Sequence, residues 1–199
     1  MGLQDYFIKQ SIKPTGPIGK IMLRIMNHAH RDIFYLGIEN ITINENCKLL
    51  DLGFGGGTAL RLLSKKYNNI KLFGIDFSKE ALKTGTKNNK KDIESGKIKL
   101  FQGDIGEIPF SDNYFDIITA FQTHYHWKDL DKKINEIYRV LNKNGQFIIV
   151  AEKYKINYHM KRYKTENELK QLFEGIGFIQ IEYMETKQNM FIKAIKPNN

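Results

Sequence analysis

The stretch Lys48 to Gly57 limits what this chain can fold into more than any other. Lys48-Leu49-Leu50-Asp51-Leu52 reads as a short buried strand. It runs into Gly53, Gly55 and Gly57, after which Thr58-Ala59-Leu60-Arg61-Leu62-Leu63 reads as a helix. A strand, a glycine turn and a helix together form a small-molecule cradle. Glycine is needed there because a side chain would block the ligand or forbid the backbone angles. A dinucleotide site wants G-x-G-x-x-G, with a pyrophosphate on the helix N-terminus. Here Thr58 occupies the third glycine position, and the pattern is D-x-G-x-G-x-G. A carboxylate at Asp51 repels a pyrophosphate and suits a cationic ligand carrying an ammonium and a sulfonium. A tight turn that binds nothing stays open on these residues alone.

Asp51 to Gly57 resembles the first motif of class I S-adenosylmethionine (SAM) dependent methyltransferases. On that resemblance Asp51, Gly53, Phe54, Gly55 and Gly57 hold the cofactor; Phe54 stands where many relatives carry cysteine or another small residue. Ile70 to Asp76 reads as the second strand. Asp76 lies 19 positions after Gly57, where a carboxylate accepts both ribose hydroxyls. The alternative is a charge at a helix start, since Ser78 can cap the next helix. Phe77 can then cover an adenine face. A helix is expected from Ser78 to about Asp92, a turn at Glu94-Ser95-Gly96, and a third strand over Ile98–Phe101. Asp104 is a candidate acceptor for the adenine amino group, with the backbone of Ile105 beside it; the alternative is a turn aspartate. Ile108 to Asp116 is similar to the Pro-Phe…Phe-Asp segment that follows this aspartate in the methyltransferases.

Phe115 to Phe121 reads as the fourth strand, and Gln122 to Trp127 leaves its C-terminal end. Ligands bind at that edge in open α/β sheets, so Phe121 joins the cofactor candidates and this loop is the first choice for the reaction centre. It contains no Asn/Asp-Pro-Pro-Tyr. It offers His124, Tyr125 and His126 as candidate bases and Trp127 as an aromatic wall. The alternative is that these rings pack the cofactor and methyl transfer needs placement only.

Leu130, Ile134, Ile137 and Leu141 form a helical stripe that Asn144-Gly145 stops. Gln146–Ala151 is the fifth strand. Thr165 to Glu168 is a capping box opening a helix with Leu169, Leu172, Phe173 and Ile176. Phe178–Met184 and Asn189–Ile195 read as a hairpin across Glu185 to Gln188. Before the first strand, residues 1–16 suggest a short helix broken at Lys13-Pro14-Thr15-Gly16. Pro17 opens a second, with Ile18, Met22, Ile25, Ala29 and Ile33 on one face. Lys20 or Arg24 can neutralise a ligand carboxylate there, and His28 and His30 sit on the same helix.

With 199 residues the chain suits one α/β domain: a helical cap over 1–46 and a Rossmann-like core over 47–199. No apolar run nears the roughly 18 residues of a membrane span. The N-terminus lacks a signal-peptide core, and Tyr6 stands where myristoylation expects Ser or Thr. A single cysteine, Cys47, and no zinc spacing point to the cytoplasm and to no metal. The net charge is +9, but 26 of the 31 basic residues are scattered lysines. That disfavours nucleic acid, whose phosphates favour clustered arginine with aromatics.

From Lys48 to about residue 195 the order of signals is similar to a methyltransferase-11-like, small-molecule enzyme. The resemblance implies a seven-stranded sheet, order 3-2-1-4-5-7-6, with only strand 7 antiparallel. It implies SN2 transfer of a methyl group from SAM, leaving S-adenosylhomocysteine. The short Tyr154–Lys164 span implies a compact acceptor, or a second subunit completing the lid in a homodimer. A SAM-binding regulator that transfers nothing, and an RNA or protein methyltransferase, are the alternatives. A nicotinamide oxidoreductase is disfavoured by Thr58 and Asp51.

Overall fold

The computed structural model describes residues 31–198, together with Gly16, Ile18 and Ile21. The expected first helix, most of the second, and Met22, Ile25, Ala29, Lys20, Arg24, His28 and His30 lie outside the described residues. Seven strands form one sheet: β1 (Cys47–Leu52), β2 (Ile70–Asp76), β3 (Ile98–Gln102), β4 (Phe115–Phe121), β5 (Leu141–Glu152), β6 (Ile179–Glu185) and β7 (Asn189–Ile195). Their order is β3-β2-β1-β4-β5-β7-β6. β7 runs antiparallel to β5 and β6, and the remaining pairs are parallel. Order and direction are those expected. The helices are α1 (Arg31–Glu39), α2 (Thr58–Lys66), α3 (Lys79–Asn88), α4 (Lys90–Glu94), α5 (Leu130–Val140), α6 (Lys153–His159) and α7 (Glu166–Ile176). Among the described residues no helix is long and apolar enough to cross a membrane.

The central strands are covered on both faces, which is why they read as nearly continuous apolar runs. Period-two alternation splits their side chains between two cores. Leu50, Leu52, Phe73, Ile75, Ile118 and Ile149 pack under α5 and α7. Leu49, Leu72, Ile117, Ile148 and Val150 pack with Ile33, Phe34 and Ile38 of α1 and Leu60 and Leu63 of α2. The same alternation turns Asp51, Asp76 and Thr119 toward the second face, at the strand ends. Asp51 pairs in register with Gly74 on one side and Thr119 on the other.

Three elements differ from expectation. The stripe through Leu130, Ile134 and Ile137 ends with the helix at Val140, and Leu141 already pairs with Phe115 as the start of β5. Leu141 continues the helical spacing, yet it is needed in the sheet. Asn144 (φ 59°) is a left-handed position within the strand, not a helix stop. The helix expected over 78–92 breaks at Asn89, for a reason that lies in the glycine loop. The hairpin strand begins one residue later than expected, at Ile179. Ser78 and the Thr165/Glu168 capping box cap α3 and α7 as read.

Phe54 shows how the loop is fixed to the core. Its ring is buried between Gly74 and Gly85, and a Cβ on Gly74 would sit 2.7 Å from it and 2.9 Å from both Leu60 and Leu100. Gly74→Ala is therefore expected to cost about 1–3 kcal/mol by overpacking, read from urea unfolding. Adding Phe54→Leu should recover part of that loss; strict additivity of the two would show that they do not share a space.

Candidate functional site

β1 and β4 flank the point where the strand order reverses, and the crevice outside their C-terminal ends is where an α/β sheet takes a ligand. The glycine loop there is held on every side. Gly53, Gly55 and Gly57 have φ of 70°, 54° and 74°, a region closed to most side chains. A Cβ on Gly53 would meet Thr123 at 2.6 Å. Gly53 N donates to Ile75 O (2.7 Å), and Thr123 Oγ1 donates to Leu52 O (3.1 Å). From the α3–α4 junction, Asn88 Nδ2 donates to Gly56 O (2.9 Å) and Asn89 Nδ2 to Gly57 O (3.2 Å). Continuing the helix through Asn89 would carry that amide away, which accounts for the break.

Of the three candidate carboxylates, Asp51 leads into the loop and Asp76 is bonded to it. Asp51 is 2 % exposed, and its Oδ1 accepts from Thr119 Oγ1 at 2.9 Å. Burial, reinforced by the nearby Asp76 charge against the Thr119 hydrogen bond, pushes its carboxyl up to about 7. Asp76 accepts from Gly55 N (3.0 Å) and Ser78 N (2.9 Å), one bond to each oxygen. Burial still raises it above the usual range against those two bonds. The helix-start reading thus has a structural basis: Ser78 caps α3 while Asp76 ties the loop to it. Asp104 is exposed. Its Oδ1 accepts from Lys133 Nζ and Gly106 N, and the Lys133 bond holds its carboxyl low.

The other cofactor candidates divide. Phe77 is exposed at the end of β2, and Ile105 is buried beside Asp104. Phe54 turns its ring into the core, so only its backbone lies in the loop. Phe121 does likewise: its ring packs edge-on against Phe34 at 5.4 Å and fills the space over Gly37. The structure does not bring these two rings to the crevice.

His124–His126 form a 3₁₀ turn after β4. His124 is fully buried, and neither ring nitrogen has a hydrogen-bond partner. Tyr125 Oη donates to Gln122 Oε1 at 3.1 Å, and burial raises its phenol well above the ordinary range. Sequence reasoning missed His159. It lies on α6, with its ring stacked on Tyr125 at 5.4 Å and edge-on to His126 at 4.6 Å. Burial lowers all three imidazoles, His124 and His126 to about 3, with His159 and Lys155 adding repulsion at His126. The cluster is therefore neutral and presents lone pairs instead of charge. Trp127 is half-buried against the core instead of forming an open wall. The Ile108–Asp116 segment packs as an aromatic cluster, with Phe110 against Phe73, Tyr114 and Phe115. Among the described residues no group of three His, Cys, Asp or Glu could hold a metal ion.

The crevice thus combines glycines at positive φ with two buried carboxylates, Asp51 and Asp76. Comparison with known proteins identifies the family. The methyltransferase-domain profile Methyltransf_11 matches residues 50–149. The methyltransferase YrhH of Bacillus subtilis is 33 % identical over 119 residues, 60 % of this chain and 65 % of its own length. A sterol 24-C-methyltransferase of Neurospora crassa is 32 % identical over 123 residues, 62 % of this chain and 31 % of its own. The chain thus spans less than two thirds of either relative. A crystal structure from Methanococcus maripaludis, described as a SAM-dependent methyltransferase, superposes with a TM-score of 0.72 at 20 % identity, covering 90 % of this chain and 94 % of that one. That likeness establishes the fold, and the profile match over half the chain establishes the lineage: this protein belongs to the class I S-adenosylmethionine-dependent methyltransferases.

Proposed function

We propose that the protein methylates a small, largely apolar acceptor, and that His126 is the group nearest the reaction. The observation carrying this reading is the pair of buried carboxylates on β1 and β2, together with a cluster of neutral imidazoles at the turn after β4. Asp51 would hold the cofactor's ammonium, Asp76 its ribose hydroxyls and Asp104 with the Ile105 backbone its adenine edge. When bound, the cofactor supplies an electrophilic methyl on a sulfonium sulfur. The chain's own task is to hold the acceptor in line and exclude water, a placement effect worth up to roughly 7–11 kcal/mol.

An imidazole at about 3 is a weak base. It still suffices for a hydroxyl acceptor, whose proton becomes strongly acidic as its oxygen gains the new carbon bond. The acceptor oxygen takes the methyl and His126 takes the proton. Neutral imidazoles favour an uncharged acceptor; the relative named as a sterol 24-C-methyltransferase shares that apolar character of substrate, with carbon in place of oxygen as the atom methylated.

The test is release of S-adenosylhomocysteine across a panel of small hydroxylated acceptors. His126→Ala should lower turnover by about 100-fold and leave S-adenosylhomocysteine affinity within about twofold, as read by calorimetry. A fully active variant removes His126 from the reaction. Cofactor binding without turnover of any acceptor would favour a regulatory role.

A further inference from the structure

The segment from Lys153 to Lys164 carries five basic residues and no Asp or Glu. It leaves the C-terminal end of β5 as α6, which is anchored through Ile156, 2 % exposed. One turn apart on the same helix, Tyr154 and Tyr158 are 64 % and 65 % exposed, the largest exposures among the described large hydrophobic side chains. Lys155 lies over the Tyr154 ring at 5.7 Å and Tyr158 stands edge-on to His159 at 4.8 Å, yet most of both rings stays open to water.

Four of the five cations sort into two groups, and the fifth, Lys164, donates to Asn157 O at 3.0 Å. Lys153 and Lys155 are paired with Glu185 (3.1 Å) and Glu152 (2.7 Å). Lys161 and Arg162 are exposed and have no carboxylate partner among the described residues. The Arg162 guanidinium lies over the Tyr163 ring, 4.9 Å from its centroid, and donates to Tyr163 Oη at 3.2 Å, which in turn donates to Asp131 at 2.8 Å. The result is a short basic and aromatic surface whose unpaired charge is concentrated at one end. A groove that tracks a nucleic-acid backbone needs cations along several nucleotides; two unpaired cations beside two amphipathic rings match the headgroup layer of a bilayer better.

We propose that α6 and the turn after it dock the protein on an anionic lipid surface, with Tyr154 and Tyr158 at headgroup depth and Lys161 and Arg162 on lipid phosphates. The inference does not rest on the identity of the methyl acceptor. α6 also supplies His159 to the imidazole cluster, so docking would act on the helix that borders it.

The experiment is co-sedimentation of the full-length protein with vesicles of phosphatidylcholine alone and of phosphatidylcholine mixed with phosphatidylglycerol. Binding to the mixed vesicles alone is expected, weakening with added salt. The Lys161→Glu/Arg162→Glu variant should bind them more weakly by on the order of thirtyfold or more. Tyr154→Ser/Tyr158→Ser should lose the salt-resistant part. S-adenosylhomocysteine affinity serves as the fold control and should not move in either variant. Equal partition onto both vesicle types, no vesicle binding, or an unchanged double charge reversal would overturn the proposal. So would an oligouridylate that binds more tightly and displaces the vesicles, which would make the surface an RNA contact.

Discussion

Asp76→Ala is expected to weaken S-adenosylhomocysteine binding by about 100-fold or more, since each hydrogen bond to a charged group contributes about 1.5–3 kcal/mol. Two ribose hydroxyls would lose their acceptor. The glycine loop would also lose the bond from Gly55 N that sets its height over the sheet. The substitution relieves the desolvation of a buried carboxylate but leaves the Gly55 and Ser78 N–H groups without their acceptor, so some loss of stability is expected beside the loss of binding. Asp76→Asn retains one acceptor oxygen and should fall between the two. Calorimetry with a parallel thermal melt separates loss of binding from loss of structure. Unchanged affinity in Asp76→Ala would remove this residue from the cofactor site and leave it only its helix-start role.

SAM affinity should depend on pH through Asp51. Its carboxyl sits at about 7 because it is buried with only Thr119 for support. An ammonium ligand binds the ionised form, so affinity is full above pH 7. It falls by about tenfold for each unit below, reaching roughly 100-fold at about pH 5. Binding at neutral pH should release close to half a proton, visible as an enthalpy that varies with the buffer. Asp51→Asn should bind weakly with a flat profile, and a flat profile in the wild type would refute the ammonium assignment.

Stability has a related signature. A carboxyl raised in the folded state stabilises the ligand-free protein at acid pH, and that contribution is lost as pH rises through 7. The depressed His124 and His126 act oppositely: their contribution is full above 6.5 and is lost as pH falls toward 3, and His159, lowered by the same burial, works in the same direction.

What could be read from the sequence was local. Asp51 through Gly57 are consecutive residues, and the positive φ of the three glycines is the reason for their presence. Strand identities followed from apolar runs, and β-order from the family resemblance. What was missed depends on pairing across the sheet. Nothing in the spacing of Leu141 tells the end of a helix from the start of a strand; its partner Phe115 lies 26 residues earlier. His159 reaches His126 only because β5 returns the chain to the same edge. Phe54 and Phe121 looked like ligand contacts from their positions, but Gly74, Gly85 and Gly37 open space for their rings inside the core. Thr119 did leave a trace, as the polar residue within the run Ile117 to Phe121, and it proves to be the hydrogen-bond partner of Asp51.

The two carboxamides at the α3–α4 junction bear on how the protein comes apart. Asn88 and Asn89 grip the loop from the helical layer, while Ile75 and Asp76 grip it from the sheet. Local opening of either layer frees one side of the loop. The amides of Gly53, Gly55 and Gly57 should therefore exchange with solvent as slowly as the surrounding sheet and helix junction, instead of at the rate of an exposed turn. In this molecule the ligand cradle belongs to the same cooperative unit as the core beneath it, so order in the binding loop is inherited from the fold before any ligand arrives.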